Sequence, residues 1–159
     1  MGSSHEIHEG IEIHEVTSKG FVYFVGFVIF VVNVGCGSPG SQAVRAVMRS
    51  PIAPASDALF NAVVYTNGQL ASAPQTDEQW GRLRAHAESL QAAGATLMRL
   101  APPERQDEWQ RQSVALIQAS AEAVKATDAR SLDAVLEAGG RLYSTCTGCH
   151  TPYMEKGEP

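Results

Sequence analysis

The chain lacks the residues that several functional classes require. Only three of its 159 residues are cysteine, and its twelve lysines and arginines are too scattered to form a basic stripe. Together with a mild formal net charge of −5, this composition argues against nucleic acid as a partner. From Ser41 onward, runs of alternating β-branched residues are also lacking, which argues against a β-rich fold.

A hydrophobic stretch near the N-terminus divides the chain into an appendage and one globular domain. We predict a polar juxtamembrane N-terminus over residues 1–19, a hydrophobic membrane anchor over residues 20–36 and a linker over residues 37–40. The remaining residues, 41–159, are enough for one core of ordinary size but not for two. One domain that follows one membrane segment is therefore the expected organisation.

The membrane segment has three expected fates. Residues 21–34 carry no charge, and the apolar stretch counted over residues 20–37, about 15 to 18 residues, lies in length between a signal-peptide core and a full span of roughly 20 residues. The segment could be a retained anchor, a cleaved signal peptide or a lipoprotein signal that ends at Cys36. A signal peptide has a basic N-terminal region, whereas residues 1–19 contain four glutamates and one lysine, Lys19. Retention as an anchor is therefore favoured.

Helical periodicity dominates the rest of the chain. Apolar residues recur every three or four positions over residues 80–97, again over residues 109–124, and a third time over residues 132–146. Thr76 and Gln79 have the spacing of a capping box at the start of the first of these stripes. Three regular helices are therefore predicted, each with one apolar face.

The first helical region is less regular, because Pro51 and Pro54 interrupt it. We expect a short helix through Met48, a kink, and a continuation near residues 55–65. Short connections, such as the Pro102-Pro103 break between the second and third helices, place successive helices side by side. The predicted fold class is therefore all-α: an antiparallel up-down-up-down four-helix bundle preceded by an N-terminal membrane-anchor helix.

The most informative motif runs from Cys146 to His150 and reads C-x-x-C-H. This is the spacing by which haem is attached covalently: each cysteine forms a thioether to one haem vinyl group, and the histidine ligates the iron. A zinc site would need further thiol or imidazole ligands at paired spacing, and a thioredoxin-type dithiol would need a strand and helix around the pair. Neither pattern is present in the sequence. The motif predicts one haem c, held by Cys146 and Cys149, with iron bound to His150.

A second iron ligand must come from upstream, because only nine residues follow His150. In the predicted bundle, the end of the last helix is level with the start of the first helix and the end of the second. Met48 and Met98 both fall at that level, but Met98 lies on an apolar stripe, where a core methionine is the ordinary interpretation. Arg45 and Arg49 flank Met48 and could pair with haem propionates. We therefore favour Met48 as the ligand, with five-coordinate iron as the alternative.

Residues 41–153 resemble the class II cytochromes c, meaning the cytochrome c prime superfamily and its low-spin, methionine-ligated relatives. The resemblance is carried by the C-terminal C-x-x-C-H motif followed by Tyr153, by the lead-in over residues 139–143, and by the four predicted helices. It implies that Met48 occupies the place of the methionine ligand in the first helix of low-spin members. High-spin members have a vacant iron face instead. Dimers are common among these relatives, so a homodimer is also open.

Several residues near the motif have a structural interpretation. Gly139 and Gly140 lie inside the predicted last helix, where each costs roughly 1 kcal/mol relative to alanine. We expect the close approach of a neighbouring helix or of haem as compensation. Trp80, Trp109 and Tyr143 are interpreted as core residues and not as electron relays.

Two classes of function follow from these residues. In the first, His150 and Met48 saturate the iron, and the protein transfers single electrons to and from a membrane electron-transfer complex or another redox protein. In the second, the iron face opposite His150 is open and binds nitric oxide or carbon monoxide. No distal histidine, acid or base falls at the predicted haem level, so the protein is not expected to be an enzyme. We favour the electron carrier.

The predicted haem also bears on localisation. The resemblance implies attachment of haem outside the bacterial cytoplasmic membrane, so we expect the domain to face the periplasm. The positive charges near the hydrophobic segment, Lys19 before it and Arg45 and Arg49 after it, slightly favour the opposite orientation. This difference of one positively charged residue is weaker evidence about the orientation than the C-x-x-C-H motif.

The fate of the hydrophobic segment predicts the mass of the mature chain. If the segment is retained, mass spectrometry of the native protein will give the full polypeptide plus one haem. Loss of about the first 35 residues, as expected for signal-peptide cleavage, would contradict the anchor.

Overall fold

The structure, a computed structural model, describes residues 39–154. The predicted juxtamembrane N-terminus, the membrane anchor and Cys36 lie outside these residues. The described elements are α1 (Pro39–Val47), α2 (Ala53–Phe60), β1 (Val64–Thr66), β2 (Gln69–Ser72), α3 (Asp77–Arg99), α4 (Gln106–Asp128) and α5 (Leu132–Tyr153). Helix α1 thus begins within the residues predicted as a linker. None of the helices within residues 39–154 is long and apolar enough to cross a membrane.

Four helical regions pack together, since α1 and α2 are the two halves of one interrupted region, and the prediction of a helical bundle is confirmed. Helix α4 packs against α3 and α5, and the interrupted region packs against α3 and α5. The core contains most of the apolar stripes predicted from the sequence, with Leu90 and Leu142 fully buried, together with residues of the first helical region such as Leu59. The prediction of core positions is confirmed for Trp80 and Trp109 but wrong for Tyr143, which is 63% exposed because it lies about 100° around α5 from the buried Leu142. Burial of one leucine side chain contributes about 1.5–3 kcal/mol relative to exposure.

Side-chain caps fix where the long helices begin. The Gln79 N–H donates to the hydroxyl of Thr76 at 3.2 Å, and the Gln79 side-chain oxygen accepts from the Thr76 N–H at 3.0 Å. The predicted capping box is therefore present at the start of α3. Ser131 caps α5 in a similar way, because its hydroxyl accepts from the N–H of Ala134 at 3.3 Å.

The first helical region breaks after Val47, as the prolines predict. A single turn of π type, Met48–Ile52, separates α1 from α2, and within it Ser50 has an extended backbone with φ −160° and ψ 120°. The extended conformation of Ser50 follows from Pro51, because a proline ring pushes the preceding residue out of the helical region. Pro54 causes no break, since it lies in the first turn of α2, where no N–H is needed.

The predicted continuation of this region to Tyr65 is wrong. Helix α2 ends at Phe60, and β1 and β2 form an antiparallel hairpin in its place. The turn is made by Asn67 and Gly68, whose φ angles are 52° and 77°. Asn-Gly is the pair that best tolerates positive φ at both central residues of a tight hairpin turn. It is the sequence signal that would have predicted the hairpin.

The expected approach of a neighbouring helix at Gly139 and Gly140 is not found in the described part of the chain. A Cβ added at Gly140 would meet no atom within 4 Å, and one at Gly139 would make an ordinary contact at 3.9 Å. The close approach lies instead at Gly94 of α3, where a Cβ would stand 2.7 Å from Cγ1 of Ile117 and 3.3 Å from the carbonyl oxygen of Ser113. Gly94 therefore sets the spacing between α3 and α4.

This contact predicts that Gly94→Ala destabilises the protein. We expect the free energy of unfolding to fall by about 1–3 kcal/mol, because the added methyl group overpacks the α3–α4 interface. Gly81→Ala is the matched control: Gly81 is an exposed residue of the same helix with open space around it, so alanine should raise stability by about 0.5–1 kcal/mol. Urea unfolding that ranked both variants above the wild type would contradict the assignment.

Candidate functional site

The C-x-x-C-H motif lies in the last turns of α5. At 3.6 residues per turn, Cys146, Cys149 and His150 fall within an arc of about 100° around the helix axis. The two cysteines are partly buried and are not joined to each other, whereas His150 is exposed. Helical geometry therefore presents two thiols and an imidazole on one side of α5.

A cavity of about 910 Å³ opens beside the motif. Its walls come from the first helical region, from the connection between α3 and α4, and from the end of α5. Cofactor and ligand pockets typically measure about 300–1,000 Å³, so the cavity is large enough for a sizeable prosthetic group.

Most of the residues predicted for the site meet at this cavity. Five of them line it, namely Arg45, Met48, Arg49, Cys149 and His150. Cys146 is not part of the lining but lies one helical turn before Cys149, on the same side of α5. Met98, the other methionine at the predicted level, is partly buried and does not line the cavity.

The apolar part of the cavity wall was not predicted from the sequence. It includes Val44 of α1, Leu100 and Ala101 after the end of α3, and Trp109 of α4. Met48 itself is partly buried and packs against the core of the bundle. The Pro102-Pro103 pair could have indicated this wall, because it ends α3 at the level where α5 also ends. An apolar wall of this kind would exclude water from a bound group.

The wall is fixed by contacts around Trp109. The indole N–H of this buried residue donates to the carbonyl oxygen of Leu97 at 2.6 Å, and its ring packs edge to face against Tyr153 with centroids 5.0 Å apart. The Arg105 guanidinium lies 4.3 Å from the centre of the Tyr153 ring and donates to the carbonyl oxygen of Pro152 at 3.0 Å. The last turn of α5 is thereby tied to the start of α4.

Tyr153 provides a test of whether the cavity fits a bound group. Its ring lines the cavity, and its hydroxyl oxygen is buried without a hydrogen-bond partner among the described residues. Burial, with a smaller effect from the charge of Glu108, raises the pKa of this phenol above its ordinary value. A buried hydroxyl that the polypeptide leaves unsatisfied is the kind of group that a cofactor or an ordered water satisfies. The residues present therefore fit a prosthetic group with polar atoms.

The thiols of the motif lack the properties of a redox dithiol. Burial raises the pKa of Cys146, and burial together with the nearby negative charges of Cys146 and Glu108 raises the pKa of Cys149. Reactive cysteines instead have a lowered pKa, commonly at the N-terminus of a helix, whereas this pair lies near the C-terminal end of α5. The arrangement does not favour thiolate chemistry.

The donor set also differs from that of an ordinary zinc site. Within residues 39–154, no three His, Cys, Asp or Glu side chains come together to hold a metal ion. The cavity offers instead an imidazole from His150 and a thioether from Met48, which are the side chains that ligate haem iron in many cytochromes. Two thiols beside such a pair are suited to covalent attachment of haem.

Comparison with known proteins does not assign the chain to a family. No protein-family model, curated protein or solved structure matches it. The function is therefore inferred from the side chains around the cavity.

The raised pKa values predict how the cofactor-free protein reacts with iodoacetamide. Because thiolate is the reactive form and a raised pKa lowers its fraction at neutral pH, alkylation of Cys146 and Cys149 should reach its midpoint at a higher pH in the folded protein than in the urea-unfolded chain. The rate is followed by mass spectrometry of the two peptides. A midpoint shifted to lower pH on folding would indicate an activated dithiol and contradict the account.

Proposed function

We propose that the protein is a monohaem c-type cytochrome that carries single electrons, and that it is not an enzyme. The observation that carries this proposal is that Met48 lines the same cavity as Cys149 and His150, although it lies far from them in the sequence. Helix packing brings together the two side chains that sequence reasoning selected as iron ligands. If Met48 had no part in the site, nothing would require it to line the same cavity as Cys149 and His150.

Each predicted residue has a defined part in holding the cofactor. Cys146 and Cys149 would hold haem through two thioethers, and His150 and Met48 would donate nitrogen and sulfur to its iron. When bound, haem supplies the one-electron chemistry of its iron. Methionine together with histidine raises the reduction potential, which suits a carrier between respiratory or photosynthetic complexes.

The polypeptide supplies charge and an apolar surround. Arg45 and Arg49 are exposed residues at the cavity and can pair with the propionate groups through charge-assisted hydrogen bonds. Val44, Leu100 and Trp109 give the cavity an apolar lining. Such a lining would keep water from the part of a bound haem that it covers, which favours the electron carrier because it would limit access of other ligands to the iron.

We also propose the up-down-up-down arrangement of the four helical regions. Contacts between opposite ends support it: Arg84 near the start of α3 pairs with Asp128 at the end of α4 at 2.8 Å, and Arg105 before α4 bonds to Pro152 near the end of α5. Opposite ends meet in this way only when neighbouring helices are antiparallel.

The hydrophobic segment over residues 20–36 would anchor this domain in the bacterial cytoplasmic membrane, with the cavity on the periplasmic side.

Visible absorption spectra of a Met48→Ala variant test the ligand assignment. The wild-type protein should show sharp low-spin bands that carbon monoxide does not change, because His150 and Met48 would both be bound to the iron. The variant should lose these bands and bind carbon monoxide at about one molecule per haem, since the iron would have lost its thioether ligand. Met98→Ala is the matched control, because Met98 lies at a similar level but outside the cavity lining, and it should leave the spectrum unchanged.

One result would contradict the electron carrier, and another would contradict the assignment of Met48 as the ligand. Broad high-spin bands in the wild type that shift with carbon monoxide would mean an open iron face and a gas-binding function. Loss of the low-spin bands in Met98→Ala, with Met48→Ala unchanged, would assign the ligand to the other methionine and would overturn the role of the shared cavity.

A further inference from the structure

The hydroxyl of Tyr153 is a buried donor for which the described residues supply no acceptor. Within residues 39–154, three buried side-chain polar atoms make no hydrogen bond: Oε2 of Glu122, Nε of Arg141 and the hydroxyl oxygen of Tyr153. The first two atoms face each other in an ion pair. The Tyr153 hydroxyl has no such counterpart, although a buried hydroxyl without a hydrogen bond lowers the stability of a folded protein.

Two groups that pack against the Tyr153 ring cannot accept a hydrogen bond from its hydroxyl. Trp109 packs edge to face against the ring, and the Arg105 guanidinium lies over it at 4.3 Å from its centre. An indole and a guanidinium carry hydrogen-bond donors but no acceptor. The nearby carboxylate of Glu108 is paired with Arg105 and makes no hydrogen bond to the hydroxyl. These contacts therefore hold the ring in place and leave its hydroxyl without an acceptor.

A group bound in the cavity can supply the acceptor, because Tyr153 lines the cavity. Arg45 and Arg49 line it from the first helical region, so the cavity combines two cationic side chains with one buried hydroxyl. Burial, with a smaller effect from the charge of Glu108, raises the pKa of the phenol, which is therefore protonated and able to donate at neutral pH. Such a set of donors fits a ligand with carboxylate groups, whose oxygens only accept hydrogen bonds.

We propose that Tyr153 is a cofactor-binding residue whose hydroxyl donates a hydrogen bond to a propionate carboxylate of the bound haem. The assignment rests on the proposed function, because the carboxylates belong to the haem that the C-x-x-C-H motif would hold. It adds a binding residue outside the motif, one helical turn after Cys149. The ring contributes to the cavity wall with or without haem, whereas the hydroxyl has a partner only when haem is bound.

A Tyr153→Phe variant removes the hydroxyl and keeps the ring that contacts Trp109 and Arg105. In the haem-loaded, full-length protein it should lower the melting temperature by about 4–10 °C, because a hydrogen bond to a charged group is lost. Tyr143→Phe is the matched control. Tyr143 lies in the same helix but is 63% exposed, so this variant should melt within about 2 °C of the wild type.

The same substitution should have the opposite effect in the cofactor-free protein, which is the full-length chain with Cys146→Ser and Cys149→Ser. Here Tyr153→Phe should raise the melting temperature by about 2–5 °C, because it removes a buried hydroxyl that has no acceptor. A hydroxyl with a purely structural role would instead change the stability of both forms in the same direction.

Infrared spectroscopy of the loaded protein identifies the acceptor and does not require the cofactor-free chain to fold. Cells that are fed aminolevulinate with an isotope label at its carboxyl carbon incorporate the label into the propionate groups of haem. The label marks the propionate bands in the difference spectrum between the oxidised and the reduced protein. Tyr153→Phe should shift the labelled bands, whereas Tyr143→Phe should leave them in place.

The contradicting outcomes separate this proposal from the proposed function. Labelled propionate bands that Tyr153→Phe leaves unchanged, in a protein that carries haem, would overturn the assignment of Tyr153 alone. A loss of stability in the cofactor-free protein as large as in the loaded protein would do the same, because the hydroxyl would then have a partner without haem. A chain that holds no covalent haem would overturn the proposed function and, with it, the hydrogen bond.

Discussion

The cavity depends on the contacts of one side chain, Trp109. This buried residue lies near the start of α4, donates a hydrogen bond to Leu97 near the end of α3, and packs against Tyr153 at the end of α5. One indole therefore holds the ends of three helices at the same level. Arg105 reinforces the joint through the carbonyl group of Pro152 and the face of Tyr153. These contacts fix the position of the cavity wall and the orientation of the side of α5 that carries the C-x-x-C-H motif.

Much of the fold could be predicted because its signals are local. The apolar stripes of α3, α4 and α5 recur at helical spacing, and the Thr76 capping box and the prolines at 51 and 102–103 mark where helices start or break. The hairpin was missed because its strands are short and mostly exposed, so the alternation that indicates a half-buried strand is absent. Gly94 and Gly140 show the other difficulty. Whether a helical glycine faces a neighbouring backbone or open space depends on packing, which sequence periodicity does not specify.

The candidate site was predicted in part. The spacing of the motif selected Cys146, Cys149 and His150 as candidate haem-binding residues, and a comparison of which helix ends lie at the same level reduced the candidates for a second iron ligand to Met48 and Met98. That comparison gives height along the bundle but not rotation about a helix axis, and rotation is what separates the two methionines. The cavity wall also includes Leu100, Ala101 and Tyr153, because the ends of different elements meet there. No sequence pattern within one element predicts that these ends meet.

Covalent attachment of haem to the two cysteines is the central claim, and acid–acetone extraction of the native full-length protein tests it most directly. The protein is produced in cells that load a known c-type cytochrome at the same time, which controls for haem attachment. We predict that one haem per chain stays with the polypeptide after extraction, and that a variant with serine at Cys146 and Cys149 loses it. Haem that is fully extracted from the wild type, or is absent from it while the control cytochrome is loaded, would contradict the account.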